Sequence, residues 1–277
     1  MLGKLFKYDM KIQMKILGMA YLIMGIIAGI AAIVEGIRRN FDDRLGILRI
    51  AGVVTTGLAT AAMVAVFLGT IFYAVFFYRK NLLKDQGYLM HTLPVKTWQL
   101  YLSKWLSSTL CLFVSAIVIL AGICLTFLRI PNVSDILDGM KASGMPMWYI
   151  ALLLAIVIVS IPISLTQFYA ALSFGYTIQT NTTTPVNKDL LSVISYIVIY
   201  MLQQVLSLGV MMITALAYVG KTSDIDELLK SGGMESMKTM VDITGGMYVI
   251  VLIVCVVIGI VTSVLSVWRM KKHLNLN

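Results

Sequence analysis

The chain has 277 residues, of which 59% are hydrophobic and only 13% are charged, and its formal net charge is +9. A charged fraction roughly half the soluble average excludes an ordinary soluble domain and predicts an integral membrane protein. The basic residues flank apolar runs and form no dense patch, which favours anionic lipid headgroups over nucleic acid as their partner. Cys111, Cys124 and Cys255 all lie in apolar runs, which excludes a disulfide framework or a CxxC metal site.

Residues 1–15 predict an amphipathic helix that lies on the membrane surface. Their lysines recur at spacings of three or four residues and therefore share one helical face. They are Lys4, Lys7, Lys11 and Lys15. A frayed basic terminus that only sets orientation is the alternative. The apolar run that follows is longer than a signal-peptide core and has no small-x-small cleavage site, so it is predicted to be a retained span.

Six apolar runs are each long enough to cross a bilayer, which takes about 20 helical residues. They cover residues 16–34, 51–77, 105–128, 148–174, 190–219 and 247–268. These runs predict an all-α, polytopic membrane protein in which residues 1–277 form one transmembrane domain.

Three features inside the predicted spans are candidates for helix packing or for a transport pathway. Gly25 and Gly29 form a GxxxG motif, which lets another helix approach closely. Pro162 interrupts the fourth span and predicts a kink, either fixed or acting as a hinge. Gln203 and Gln204 are adjacent and cannot face the same direction on a helix. At least one of these two amides is therefore predicted to face another helix or a wet cavity.

The polar segment 79–104 is an elbow between the second and third spans. A helix-compatible piece, residues 81–85, stops at Gly87, Pro94 blocks helix continuation, and a second helical pattern begins near Thr97. Several apolar side chains of this segment are predicted to lie outside the lipid. They are Tyr88, Leu89, Leu93, Val95 and Trp98. An elbow with exposed apolar groups predicts a protein partner, and an ordinary loop with interfacial aromatics is the alternative.

Charge sets the predicted orientation. Six spans put both termini, the elbow and the loop 175–189 on one side, and these segments carry more Lys and Arg than the opposite loops. The positive-inside rule then predicts that both termini and the elbow are cytoplasmic, in the cytoplasmic membrane. The acidic loop 220–245 falls outside, and its residues 224–230 predict a short surface helix.

The sequence offers no chemistry of its own. The nearest match to a phosphate loop, residues 215–222, lacks the first glycine and follows a membrane helix instead of a strand. We find neither paired carboxylates nor a nucleophile elbow, so a non-enzyme without its own cofactor or metal is predicted. The predicted spans contain no Asp, Glu, Lys or Arg, which disfavours ion-driven transport.

A family resemblance fits this pattern. The basic N-terminal helix, the six spans and the elbow sequence Gly87-Tyr-Leu-Met-His-Thr-Leu-Pro-Val95, followed by Trp98-Gln-Leu-Tyr-Leu-Ser-Lys104, resemble the membrane subunit of type-two ABC transporters, particularly bacterial exporters. The resemblance covers the whole topology, but its specific residues are confined to 85–104. Gln86 departs from it, because similar sequences often carry an acid there.

The resemblance implies two partners. The elbow would be a coupling helix that docks onto a separate soluble ABC ATPase, which binds ATP and Mg, and two permease chains, alike or different, would form the pathway. The implied ATPase contacts are Asp85, Gly87, Tyr88, Leu89, Leu93 and Pro94. We therefore expect the permease subunit of an ATP-driven exporter of an amphipathic or hydrophobic substrate such as a peptide, drug or lipid. The alternative is a non-transporting membrane scaffold or immunity protein that binds a peptide.

Overall fold

The computed structural model describes residues 2–40, 46–84, 87, 92, 95–127, 146–178, 187–219 and 234–273. Their regular elements are α1 (Leu2–Asn40), α2 (Gly46–Tyr78) with a π-helical extension (Arg79–Leu83), α3 (Thr97–Phe127), α4 (Met147–Thr177), α5 (Lys188–Val219) and α6 (Met234–His273). In these ranges six helices are long and apolar enough to cross a membrane. The all-helical, six-span prediction is confirmed to that extent.

The chain divides into two compact units, residues 1–131 and residues 132–275. The first contains α1, α2 and α3, and each of these helices packs against the other two. The second contains α4, α5 and α6, which likewise pack pairwise.

The helix α1 is one unbroken helix, whereas the sequence predicted a separate surface helix followed by a span. Its 39 residues rise about 58 Å at 1.5 Å each, about twice the thickness of a hydrocarbon core. The four predicted lysines do lie on an exposed face. The buried face is a separate stripe with a helical period, namely Asp9, Gln13, Leu17, Tyr21, Met24 and Ala28. Because this stripe stays in phase across residue 15, the N-terminal turns continue the packing of the span.

Small side chains let α1 and α2 approach closely. Ala28 and Ala31 of α1 pack with Ala59 and Met63 of α2 in one buried cluster. The buried centre of this contact therefore combines three alanines with Met24 and Met63.

A second cluster joins α1 to α3. It consists of Leu17, Tyr21 and Cys111, and the Tyr21 hydroxyl donates to the backbone carbonyl of Cys111 at 3.2 Å. Together the two clusters fix α1 against both of its neighbours.

The second unit contains a closer helix contact. Gly175 of α4 lies directly against the backbone of Ser192 on α5, so a Cβ at this position would overlap Ser192. Nearby, the rings of Phe168 and Tyr196 stack at 4.7 Å between centroids. The contact between α4 and α5 therefore depends on a residue without a side chain.

Several helices extend beyond the apolar runs that predicted them. α2 begins at Gly46 and α6 at Met234, whereas α3 begins at Thr97, where the sequence predicted a new helix. The segment 79–104 is consequently helical at both of its ends. The predicted surface helix at 224–230 lies outside the described residues.

Candidate functional site

The entrance to the elbow is a packed π-helical turn. Lys84 donates its backbone N–H to the carbonyl of Arg79 at 3.1 Å, a bond that spans five residues. Asn81, Leu82 and Leu83 are buried. Single π-helical turns occur frequently at functional sites. Because its side chains are buried, this turn packs as part of the first unit and is not an exposed loop.

The exit from the elbow is anchored in the same way. Trp98, in the first turn of α3, is 52% exposed, whereas Leu100 and Tyr101 are buried. The ring of Tyr101 meets that of Tyr78, the last residue of α2, edge to face at 6.1 Å between centroids. This aromatic contact joins the two helices that the elbow connects.

A buried ion pair fixes the start of α3 to the N-terminal turns of α1. Lys104 Nζ donates to Asp9 Oδ1, and the two side chains are only 2% and 1% exposed. Ser103 Oγ donates to the second carboxylate oxygen of Asp9 at 2.6 Å. On its other side, Lys104 Nζ lies 4.7 Å from the centroid of the Phe77 ring. The carboxylate and the ammonium are thus both paired and hydrogen-bonded, as buried charges must be.

An amide–hydroxyl network continues from this pair along the α1–α3 contact. Gln13, one turn after Asp9, donates its side-chain N–H to Ser107 Oγ at 2.9 Å and to Ser108 Oγ at 3.3 Å. Ser107 Oγ in turn donates to the carbonyl of Lys104 at 3.1 Å. Serine is small enough to let the two helices approach and polar enough to satisfy the amide. We call Asp9, Gln13, Ser103, Lys104, Ser107 and Ser108 the anchor network.

Sequence reasoning missed the anchor network because it placed both charges outside the spans, as parts of a surface helix and of a loop. The signal was the helical phase. Asp9 and Gln13 precede Leu17 and Tyr21 by whole turns, so they extend the apolar stripe of α1 toward the N-terminus.

Of the predicted ATPase contacts, Gly87 is described. It is buried, and its N–H donates to the carbonyl of Lys84 at 2.6 Å. The other members of that set lie outside the described residues. They are Asp85, Tyr88, Leu89, Leu93 and Pro94.

The two glycines of the GxxxG motif do not pack against another described helix of the first unit. A Cβ added at Gly25 or Gly29 would meet nothing within 4 Å. The apolar side chains around them point outward as well, with Leu22 69% and Ile26 63% exposed. This face of α1 is therefore open to lipid or to another chain.

The two adjacent glutamines of α5 have different surroundings. Gln203 accepts a hydrogen bond from the side-chain N–H of Gln167 on α4, whereas the adjacent Gln204 is exposed. Gln167 is 7% exposed. Pro162 lies inside α4, which continues through it as one helix. The sequence predicted that at least one of the two α5 amides would face a neighbouring helix or a wet cavity, and Gln203 contacts the neighbouring helix α4.

A cleft of about 400 Å³ opens beside this amide pair, within the second unit. Its walls come from α4, α5 and α6 and are mainly aliphatic, with Tyr248 and Cys255 on the α6 side. Ser160, Ser164 and Gln167 lie on one face of α4 at spacings of four and three residues, and Gln203 faces them from α5. The cleft thus combines apolar walls with a row of neutral polar groups.

The fold and these sites define a multi-pass α-helical membrane protein. No protein-family model, curated protein or solved structure matches the chain.

Proposed function

We propose that this chain is the permease subunit of an ATP-driven exporter of an amphipathic or hydrophobic substrate across the cytoplasmic membrane. A separate soluble ABC ATPase, which binds ATP and Mg, docks on the elbow, and a second permease chain completes the pathway. The observation that carries the proposal is that both flanks of the elbow are built into the first unit.

Because both ends of the elbow are packed in the first unit, a displacement of the elbow is transmitted to the helices of that unit. On one side the buried residues 81–83 extend α2, and on the other Lys104 ties the start of α3 to Asp9 of α1. Interiors of packed proteins transmit displacement because they are close-packed. A partner that pulled on the elbow would therefore move α1, α2 and α3 together.

A docked partner shifts this equilibrium only if it binds one state of the elbow better than the other. ATP-dependent closure of two ATPase subunits provides such a difference. Cargo access would then change with the position of the first unit.

The test begins with the genes that flank this one. A phosphate-loop ATPase encoded there is co-expressed with the full chain, the complex is purified in mild detergent, and ATP hydrolysis is measured. We expect a stable complex. The variant with Leu89→Asp and Leu93→Asp should lose the ATPase because two carboxylates cannot be buried in an apolar contact without large desolvation.

The matched control carries Thr92→Asp and Thr97→Asp, which add the same charge to the same segment at polar positions. This control should retain the ATPase. Equal retention by both variants, or a neighbouring gene that encodes no ATPase, would contradict the proposal and favour the peptide-binding scaffold.

A further inference from the structure

The amide pair in the second unit has unused hydrogen-bonding capacity. A glutamine side chain offers two N–H donors and a carbonyl acceptor. Gln167 donates to Gln203, and within the described chain the carbonyl oxygen of Gln167 and the NH₂ group of Gln203 have no further partner. Gln167 is more than nine-tenths buried and lines the cleft. An unpaired polar group at such a position lowers stability unless something else bonds to it.

The serines of the cleft are used differently. Ser160 Oγ donates to the carbonyl of Val157 and Ser164 Oγ to that of Ile161, each at 2.8 Å. Each hydroxyl keeps its oxygen lone pairs, so the α4 side of the cleft is rich in acceptors. The donors that remain at the amide pair are the NH₂ group of Gln203 and the second N–H of Gln167.

The lining also excludes charge. Of the described residues, none that lines the cleft is Asp, Glu, Lys or Arg. A charged ligand would lose its hydration here without gaining a counter-ion. The volume of about 400 Å³ lies in the range of roughly 300–1,000 Å³ typical of small-molecule sites.

From these groups we infer that the cleft binds a neutral aliphatic molecule through one amide group. The ligand N–H donates to the carbonyl of Gln167, the ligand carbonyl accepts from the NH₂ group of Gln203, and the aliphatic part fills the space toward Cys255. This inference rests on the proposed function in one respect, since it identifies the ligand as the exported cargo. Two sources supply the chemistry, an acyl amide and a short apolar peptide.

The test is photolabelling of the purified full chain in phosphatidylcholine nanodiscs, without any ATPase. The probes are dodecanamide and methyl dodecanoate, each with a diazirine in its chain. The ester lacks the N–H and should label about tenfold less, as one lost hydrogen bond predicts. Unlabelled dodecanamide and acetyl-trileucine amide serve as competitors, and the stronger competitor identifies the source.

Two variants locate the site. Gln203→Leu should abolish the preference for the amide, and the matched control Gln204→Leu, one residue away on the exposed face, should keep it. Cys255→Phe fills the cleft while leaving the amide pair intact, and it should block labelling even if Gln203→Leu fails to fold. Label recovered in the peptides around residues 156–167 and 248–255 completes the expected result.

Equal labelling of the wild-type chain by the amide and the ester would overturn the inference, because the cleft would then be a slot for lipid acyl chains. Loss of preference in Gln204→Leu would overturn it as well. The outcome is independent of the ATPase experiment. Amide binding without a co-purifying ATPase would contradict the exporter proposal and support the amide-binding site. A co-purifying ATPase without amide binding would contradict the amide-binding site alone.

Discussion

The anchor network makes a quantitative prediction about Asp9. Replacing Asp9 with Leu leaves the ammonium of Lys104 buried with the Phe77 ring and no carboxylate. Breaking a buried ion pair by removing one partner typically costs about 3–5 kcal/mol. Ser103 also loses the acceptor of its hydroxyl, which adds roughly 1 kcal/mol. We expect Asp9→Leu to lower the free energy of unfolding by about 5 kcal/mol.

The second variant separates the ion pair from its burial. Asp9→Leu with Lys104→Met replaces both charges with apolar groups of similar length. Substitutions of this kind are often neutral or stabilising. The double variant should therefore recover most of the stability that Asp9→Leu loses.

The assay is thermal unfolding of the purified chain in detergent, with the fraction of folded protein at each temperature measured by size-exclusion chromatography. At roughly 2–4 °C for each kcal/mol in a large domain, a loss of about 5 kcal/mol in Asp9→Leu should lower Tm by about 15 °C. The control is Lys11→Met, which removes an exposed lysine two residues away and should change Tm by less than about 2 °C. Equal Tm values for the wild-type chain and Asp9→Leu would refute the reasoning, because residues 1–15 would then lie apart from α3.

Two glycine positions give opposite expectations. Gly175→Ala should lower Tm by several degrees, because its Cβ would overlap the backbone of Ser192. The comparison is Ser173→Ala on the same helix, which removes a hydroxyl group without causing a steric overlap. Gly25→Leu with Gly29→Leu should leave the Tm of the single chain unchanged, since nothing described lies within 4 Å. Crosslinking between two copies should fall in that double variant if the GxxxG face meets a second permease chain, and unchanged crosslinking would exclude this face from the contact.

The six long apolar helices of the described ranges were predictable from the sequence, because each apolar run is long enough to cross a bilayer. The helix ends were not. α6 begins at Met234, 13 residues before the run that predicted it. When polar residues extend a helix beyond its apolar run, no change in hydropathy marks where the helix begins. The start of α3 at Thr97 was predictable because Pro94 interrupts any helix that would continue from α2 and a new helical pattern begins near Thr97.

The candidate sites divide along similar lines. Adjacency on a helix required Gln203 and Gln204 to face different directions, but only the rotation of α5 against α4 decides which amide contacts Gln167. The pairing of Asp9 with Lys104 spans 95 residues, and the spacing of residues within each helix does not reveal which helices meet. The GxxxG motif at Gly25 and Gly29 likewise states that a close approach is tolerated and not which partner makes it.

The long sequence separation of the ion pair has a consequence for synthesis. A ribosome adds about 5–20 residues per second, so Lys104 is made about 5–20 s after Asp9. Until then the carboxylate has no ammonium to neutralise it and stays hydrated, because burial of a lone charge is strongly unfavourable. We therefore expect the N-terminal turns of α1 to pack into their unit only after the beginning of α3 has emerged.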